Sequence, residues 1–136
     1  MTLDSDALPF SAITETSISV LVNLFYAKVR RDDQIGPVFN RAISDWPAHL
    51  ARLCDFWSSV MLKTGRFHGS PMAKHMQQPI EPHFFDRWLG LWHETTRELF
   101  TPEIAAEFSQ KAEMIGRSLK LGLFFKPELE LGRRTE

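Results

Sequence analysis

An all-α fold with four principal helices is what this sequence predicts. Three observations lead there. Apolar residues recur at spacings of three and four in four separate stretches, no run alternates apolar and polar residues long enough for a strand, and each stretch is bracketed by helix-starting or helix-breaking residues.

The first helix is read from Ile18, Leu21, Val22, Phe25 and Val29, which fall on one face of an amphipathic helix ending near Arg31. Thr14 or Thr16 is its candidate cap. The stretch RDDQIGPVFN then interrupts the pattern. Its Gly36-Pro37 pair disfavours continued helix and leaves Val38 and Phe39 to plug the core from a turn. A second helix opens at Ser44 or Asp45, with Pro47 in the first turn, where a missing N–H costs nothing. Its stripe is Trp46, Leu50, Leu53, Trp57 and Met61, and it stops by Gly65. His49, Leu53 and Phe56 lie along one edge of that stripe, which aims a polar ring close to the core.

Between residues 65 and 82, Gly65, Gly69, Pro71, Pro79 and Pro82 allow one short turn, Pro71 to Met76 capped by Ser70. That turn carries His75. A third helix starts at Pro82 and buries Phe84, Trp88, Leu91, Trp92 and the stretch from Thr95 to Leu99. Thr101-Pro102-Glu103 reads as cap, first-turn proline and dipole-favoured acid for a fourth helix carrying Ile104, Phe108, Ile115, Leu119 and Leu123. Lys126-Pro127 ends it. The expectation is one domain over residues 1–136, ordered from about residue 14 to 125 between flexible ends, with no linker or repeat.

Composition narrows the function. With 136 residues the chain can bury about two-thirds of its unfolded surface, so it needs no disulfides, and its single cysteine, Cys54, cannot form an internal one. Sixteen basic against seventeen acidic residues give no electrostatic case for nucleic acid or an anionic membrane. Asp4 and Asp6 stand where a secretory signal would carry basic residues, and no apolar segment is long enough to span a bilayer. A free thiol without an export signal points to a cytoplasmic protein. Eleven Phe and four Trp accompany one Tyr, so Tyr26 is a singular group on the inner face of the first helix.

Motifs for phosphate-cradling loops, paired catalytic carboxylates and a nucleophile elbow are absent. His68, His75 and His83, seven and eight residues apart, form a poor zinc pattern with no cysteines beside them. His93 is read as solvated. Tyr26 and Trp88 each have an ordinary reading as packed rings with satisfied polar atoms. What the chain does offer is an excess of large apolar side chains beside one histidine on a proline-bracketed loop, which is what a flat hydrophobic cofactor with a ligatable iron requires.

The residues LFYAKVRRDDQIGPVFN (24–40), then His49 and Leu53 with Phe56-Trp57, then PMAKHM and FFDRWL, resemble the third group of truncated haemoglobins over about residues 14 to 125. The glycine-pair motifs of the other groups are missing. The resemblance implies a two-over-two helical sandwich holding haem b. It makes His75 the proximal iron ligand and Phe39 a ring against the haem face. It places Tyr26, His49 and Trp88 on the distal side, with Leu53 beside the gas. Arg52 and Lys74 match positions that meet the propionates, and Phe25, Phe56, Met72 and Phe85 complete the surroundings of the cofactor. Implied ligands are O2, CO, NO or other small molecules, with a reductase as redox partner and neither nucleic acid nor membrane. Dioxygen in such a pocket carries partial negative charge, and the Tyr26 hydroxyl and Trp88 indole can donate to it. Three readings stand together: an oxygen-binding globin, a haem-dependent enzyme turning over nitric oxide or peroxide, and a haem-free helical interaction domain.

Overall fold

Five helices account for the regular structure of the described residues, 8–68 and 82–124, in this computed structural model. Helix α1 is Glu15–Arg31. Thr14 caps it, accepting from the Ser17 N–H at 3.0 Å while Ser17 Oγ accepts from the Thr14 N–H at 2.9 Å, so two otherwise unpartnered donors are satisfied reciprocally. Its buried face holds Ile18, Leu21, Val22, Phe25 and Val29, as the spacing requires, and also Tyr26.

The first departure from expectation follows at once. The segment read as a turn is a short helix, α2, Gly36–Ala42, which the described residues add to the four principal helices expected. Gly36 explains how it fits. A Cβ there would lie 2.9 Å from the Val29 carbonyl oxygen and 3.0 Å from that of Arg30, so only glycine lets α2 begin hard against the end of α1. Pro37 sits in the first turn, where its fixed φ suits a helix and its absent N–H is not missed. Val38 and Phe39 are half-buried against the core from this helix.

Helix α3 is Trp46–Leu62, capped by Asp45, which accepts from the Ala48 N–H at 3.1 Å. It ends at Lys63, which adopts a left-handed conformation with φ 58°. Helices α4, Pro82–Leu99, and α5, Pro102–Phe124, are joined by a tight corner. Helix α1 packs on both α3 and α4, α4 packs on α5, and α2 leans on α1.

Indole and phenyl rings fill the centre. Trp57 of α3 stacks on Trp92 of α4 at 4.5 Å between centroids, Trp88 lies nearly parallel to Trp92 at 6.2 Å, and Phe25 meets Trp92 edge-on at 4.8 Å. Buried polar groups are paired. Ser58 reaches Glu15 and Thr64, each at 2.8 Å, and Thr95 donates to the Leu91 carbonyl at 2.7 Å.

Further expectations are corrected. The residues before about 14 were read as flexible; among those described, Phe10 bridges to Phe100. Its N–H donates to the Leu99 carbonyl at 2.7 Å and its carbonyl accepts from Thr101 at 3.0 Å, satisfying backbone groups at the α4–α5 corner. His93, read as solvated, lies between α4 and α5, with Nδ1 2.7 Å from Ser109 Oγ and Nε2 3.2 Å from Glu113. Both contacts come from the next helix, so the α4 pattern alone could not reveal them. Trp88 is half-buried rather than buried, and Arg97 and Glu98 within the stretch expected to be buried are exposed.

Candidate functional site

Tyr26 projects from the inner face of α1 and is 4 % exposed. Its ring meets Phe25 at 4.7 Å, Phe39 at 5.7 Å, and Trp46 and His49 each at 6.1 Å. Helices α1, α2 and α3 thus each contribute a ring, and α4 adds Trp88, whose indole acts as a donor toward the Tyr26 oxygen and favours its ionised form. An indole N–H can only donate, so the phenol oxygen accepts and the phenol keeps its own proton to give. No described residue accepts it. Burial pushes the Tyr26 pKa up to about 12, the Trp88 hydrogen bond offsetting part of the rise, so the group is a neutral hydroxyl at ordinary pH.

The walls are ordered by further ring contacts. Phe39 stacks on Phe84 at 5.5 Å, and Phe84 meets the fully buried Phe85 at 5.4 Å. His49 stands edge-on to Trp46 at 5.6 Å, three residues before it on α3, and Arg30 lies over the Trp46 ring at 4.5 Å. Leu53 continues the same face of α3 one turn on and is half-buried.

Of the sequence-derived site residues, the structure therefore brings together Phe25, Tyr26, Phe39, His49 and Trp88, with Phe85 behind Phe84. Arg52 and Phe56 lie further along α3 around Phe67, the guanidinium 5.9 Å above that ring and Phe56 edge-on to it at 5.2 Å. Met72, Lys74 and His75 lie outside the described residues, as does the short turn expected at Pro71 to Met76. The zinc pattern gains no support from His68 and His83, which are exposed, and no cluster of metal-binding side chains occurs among the described residues.

Trp46 was read from the sequence as core alone. Its place at the first position of α3, one turn before His49, is the signal that it shares His49's surroundings. Asp32 and Arg87 carried no such signal, being 55 residues apart. Arg87 Nε donates to Asp32 Oδ1 at 2.6 Å, and Asp32 Oδ2 accepts from the Gln34 and Ile35 N–H groups at 2.9 and 3.0 Å. Burial pushes the Asp32 carboxyl up, but these hydrogen bonds and the guanidinium charge outweigh it and hold the group below its ordinary range.

A groove of about 770 Å³ lies elsewhere, at the α4–α5 corner between Leu8, Pro9, Arg97, Phe100 and Ala105. It is open and shares no residue with the Tyr26 cluster. The cluster, not the groove, has the chemistry of a ligand site: aromatic walls, an imidazole at the edge and one buried hydroxyl with a proton to give.

Comparison with known proteins gives a consistent result. No family model matches the chain. It is 36% identical to "Group 3 truncated hemoglobin ctb" of Campylobacter jejuni, the match covering 79% of this chain and 89% of that protein. The crystal structure of group III truncated hemoglobin from the same organism superposes with a TM-score of 0.83 at 33% identity, over 87% of this chain and 97% of the other.

Proposed function

The chain belongs to the group 3 truncated haemoglobins, and from that footing we propose that it holds haem b and binds O2, CO, NO or a similar diatomic ligand in the pocket beside Tyr26. The residues present suit such a group. The aromatic walls of Phe25, Phe39, Phe84 and Trp46 favour a flat apolar molecule, and the Tyr26 proton, for which no described residue is an acceptor, is a buried donor suited to a polar ligand. Haem, when bound, supplies the iron that takes up the small ligand. His75 is proposed as the protein's ligand to that iron, with Phe39 and Phe85 against the ring, and Met72, Phe25 and Phe56 filling its surroundings. Arg52 and Lys74 are proposed for the propionates.

The observation that carries the reading is the buried Tyr26 ring set among Phe25, Phe39, Trp46 and His49, with the Trp88 indole of α4 acting on its oxygen. Because the indole N–H is given to the phenol oxygen, the two donors act in series: Trp88 fixes and polarises the hydroxyl, and the hydroxyl faces the ligand. Tyr26 stays protonated, since ionisation in its buried site is unfavourable, and so remains a donor. A hydrogen bond to a charged acceptor contributes about 1.5 to 3 kcal/mol, or about 10- to 150-fold in dissociation. Leu53 limits the space beside the ligand, and His49, at the edge of the cluster, gates entry.

Slow oxygen release suits redox chemistry or sensing better than delivery. A second reading, turnover of nitric oxide or peroxide with electrons from a reductase in the cytoplasm, rests on the same polarised hydroxyl. Assays with a reductase present separate the two.

Reconstitution with haem followed by a visible spectrum is the direct test, and a chain that gains no Soret band would be the haem-free helical domain. In His75→Gly the band should be lost or return only with added imidazole. Tyr26→Phe should raise the oxygen dissociation rate by about tenfold or more, with a smaller effect in Trp88→Phe and little effect on CO in either. Unchanged rates in both variants would return the two rings to simple packing.

A further inference from the structure

Helices α1 and α4 pack on each other and carry Tyr26 and Trp88 respectively, so the indole reaches the phenol only if the two helices hold one register. The ring contacts between them, Phe25 edge-on to Trp88 at 5.9 Å and to Trp92 at 4.8 Å, are less directional than a hydrogen bond and do not fix register sharply. A charge-assisted hydrogen bond does, since it weakens steeply with distance and angle. Two such links join these helices. Lys28 reaches Glu94 and Glu98 at 2.8 and 3.0 Å, but both carboxylates are about half exposed, which makes them weak restraints.

Asp32 is different. Its own side chain is 4 % exposed while that of Arg87 is 42 % exposed, so what sets it apart is the number of bonds it makes at once: it sits at the end of α1, six residues after Tyr26, and Arg87 immediately precedes Trp88 on α4. One carboxylate oxygen takes the guanidinium and the other holds the Gln34 and Ile35 N–H groups in the turn that launches α2. The Asp32 carbonyl accepts from Gly36 at 3.0 Å as well. A single residue therefore ties the end of the Tyr26 helix, the start of the Phe39 helix and the backbone beside Trp88.

We propose that the Asp32–Arg87 pair is a positioning element for the ligand pocket, setting the register of α4 on α1 so that the Trp88 indole N–H meets the Tyr26 hydroxyl. Neither side chain touches the ligand. Their effect passes through the orientation of the hydroxyl, and it rests on the reading of Tyr26 as the ligand's hydrogen-bond donor.

The test uses the haem-loaded chain and the variants Arg87→Gln and Arg87→Lys, alongside Tyr26→Phe. Arg87→Gln should raise the oxygen dissociation rate by about threefold to tenfold, part of what a lost hydrogen bond gives, while the CO rate stays within about twofold. Arg87→Lys, which keeps the charge near Asp32, should recover much of the parent rate. A second readout needs no turnover: in the CO-bound protein, hydrogen exchange at the Trp88 indole N–H should quicken in Arg87→Gln and in Tyr26→Phe, and much less in Arg87→Lys. If Tyr26→Phe alters oxygen release and Arg87→Gln leaves both release and indole exchange unchanged, the positioning role is overturned and the pocket assignment stands. If Tyr26→Phe itself has no effect, the pocket assignment has failed instead. Equal acceleration of O2 and CO release in Arg87→Gln would show general loosening and also overturn the proposal, and should Arg87→Gln not fold, Arg87→Lys and Asp32→Asn carry the same comparison.

Discussion

Tyr26 is the only tyrosine in the chain, so its ionisation can be followed directly. Burial raises its pKa in the folded protein to about 12, against about 10 for a free phenol. The folded pKa is the higher one, so the associated stability is complete below about pH 10 and is lost as pH rises through about 12; a shift of this size corresponds to about 3 kcal/mol. The near-ultraviolet tyrosinate band should therefore appear well above the ordinary phenol midpoint, and Tyr26→Phe should flatten the alkaline decline in stability. A normal midpoint would mean that water reaches the hydroxyl. At this scale sequence reasoning reached some partners and not others. His49 and Trp88 were legible because helical spacing places them on inward faces. The Trp88-to-Tyr26 donation and the Asp32–Arg87 pair were not, because they depend on how α1 and α4 lie against each other, which no local pattern encodes.

Helix ends were the most legible elements, since caps act locally. Thr14 and Asp45 cap as their chemistry suggests. Replacing Thr14 by Ala should cost about 1 kcal/mol, measured by denaturant unfolding. At the other end of α3, Lys63 holds φ 58° without the freedom glycine would bring. Lys63→Gly should then stabilise the protein by about 0.5 to 1 kcal/mol, and a loss of stability would show that the lysine side chain contributes a compensating contact. Helix α2 escaped the sequence reading because a Gly-Pro pair ordinarily marks a turn. Here Gly36 is required by close approach to the carbonyls of α1 and Pro37 by the first turn of a new helix, so the same two residues start a helix instead of ending one.

Across the whole molecule, α1 is fastened to its neighbours by carboxylates: Asp32 to Arg87, Glu94 and Glu98 to Lys28, and Glu15 to Ser58 and Arg66. Asp32 and Glu94 are held below their ordinary pKa range, Glu94 by the Lys28 hydrogen bond and charge, Asp32 by hydrogen bonds that outweigh its burial. A depressed carboxyl lends stability above its unfolded value, about pH 4, and loses it as pH falls through the lower folded value. Thermal midpoints of the parent and Asp32→Asn should therefore differ at neutral pH and converge in acid, whereas a constant gap would assign the effect to the turn backbone alone. The fold class was legible at this scale from the four apolar stripes. The stacked run of Trp57, Trp92 and Trp88 was not, and it has an optical consequence. Three indoles held nearly parallel between α3 and α4 are close enough for their electronic transitions to couple. Their combined dichroism should report the junction of those two helices as a built-in chromophore, vanishing when the rings lose their fixed angles even if both helices remain wound.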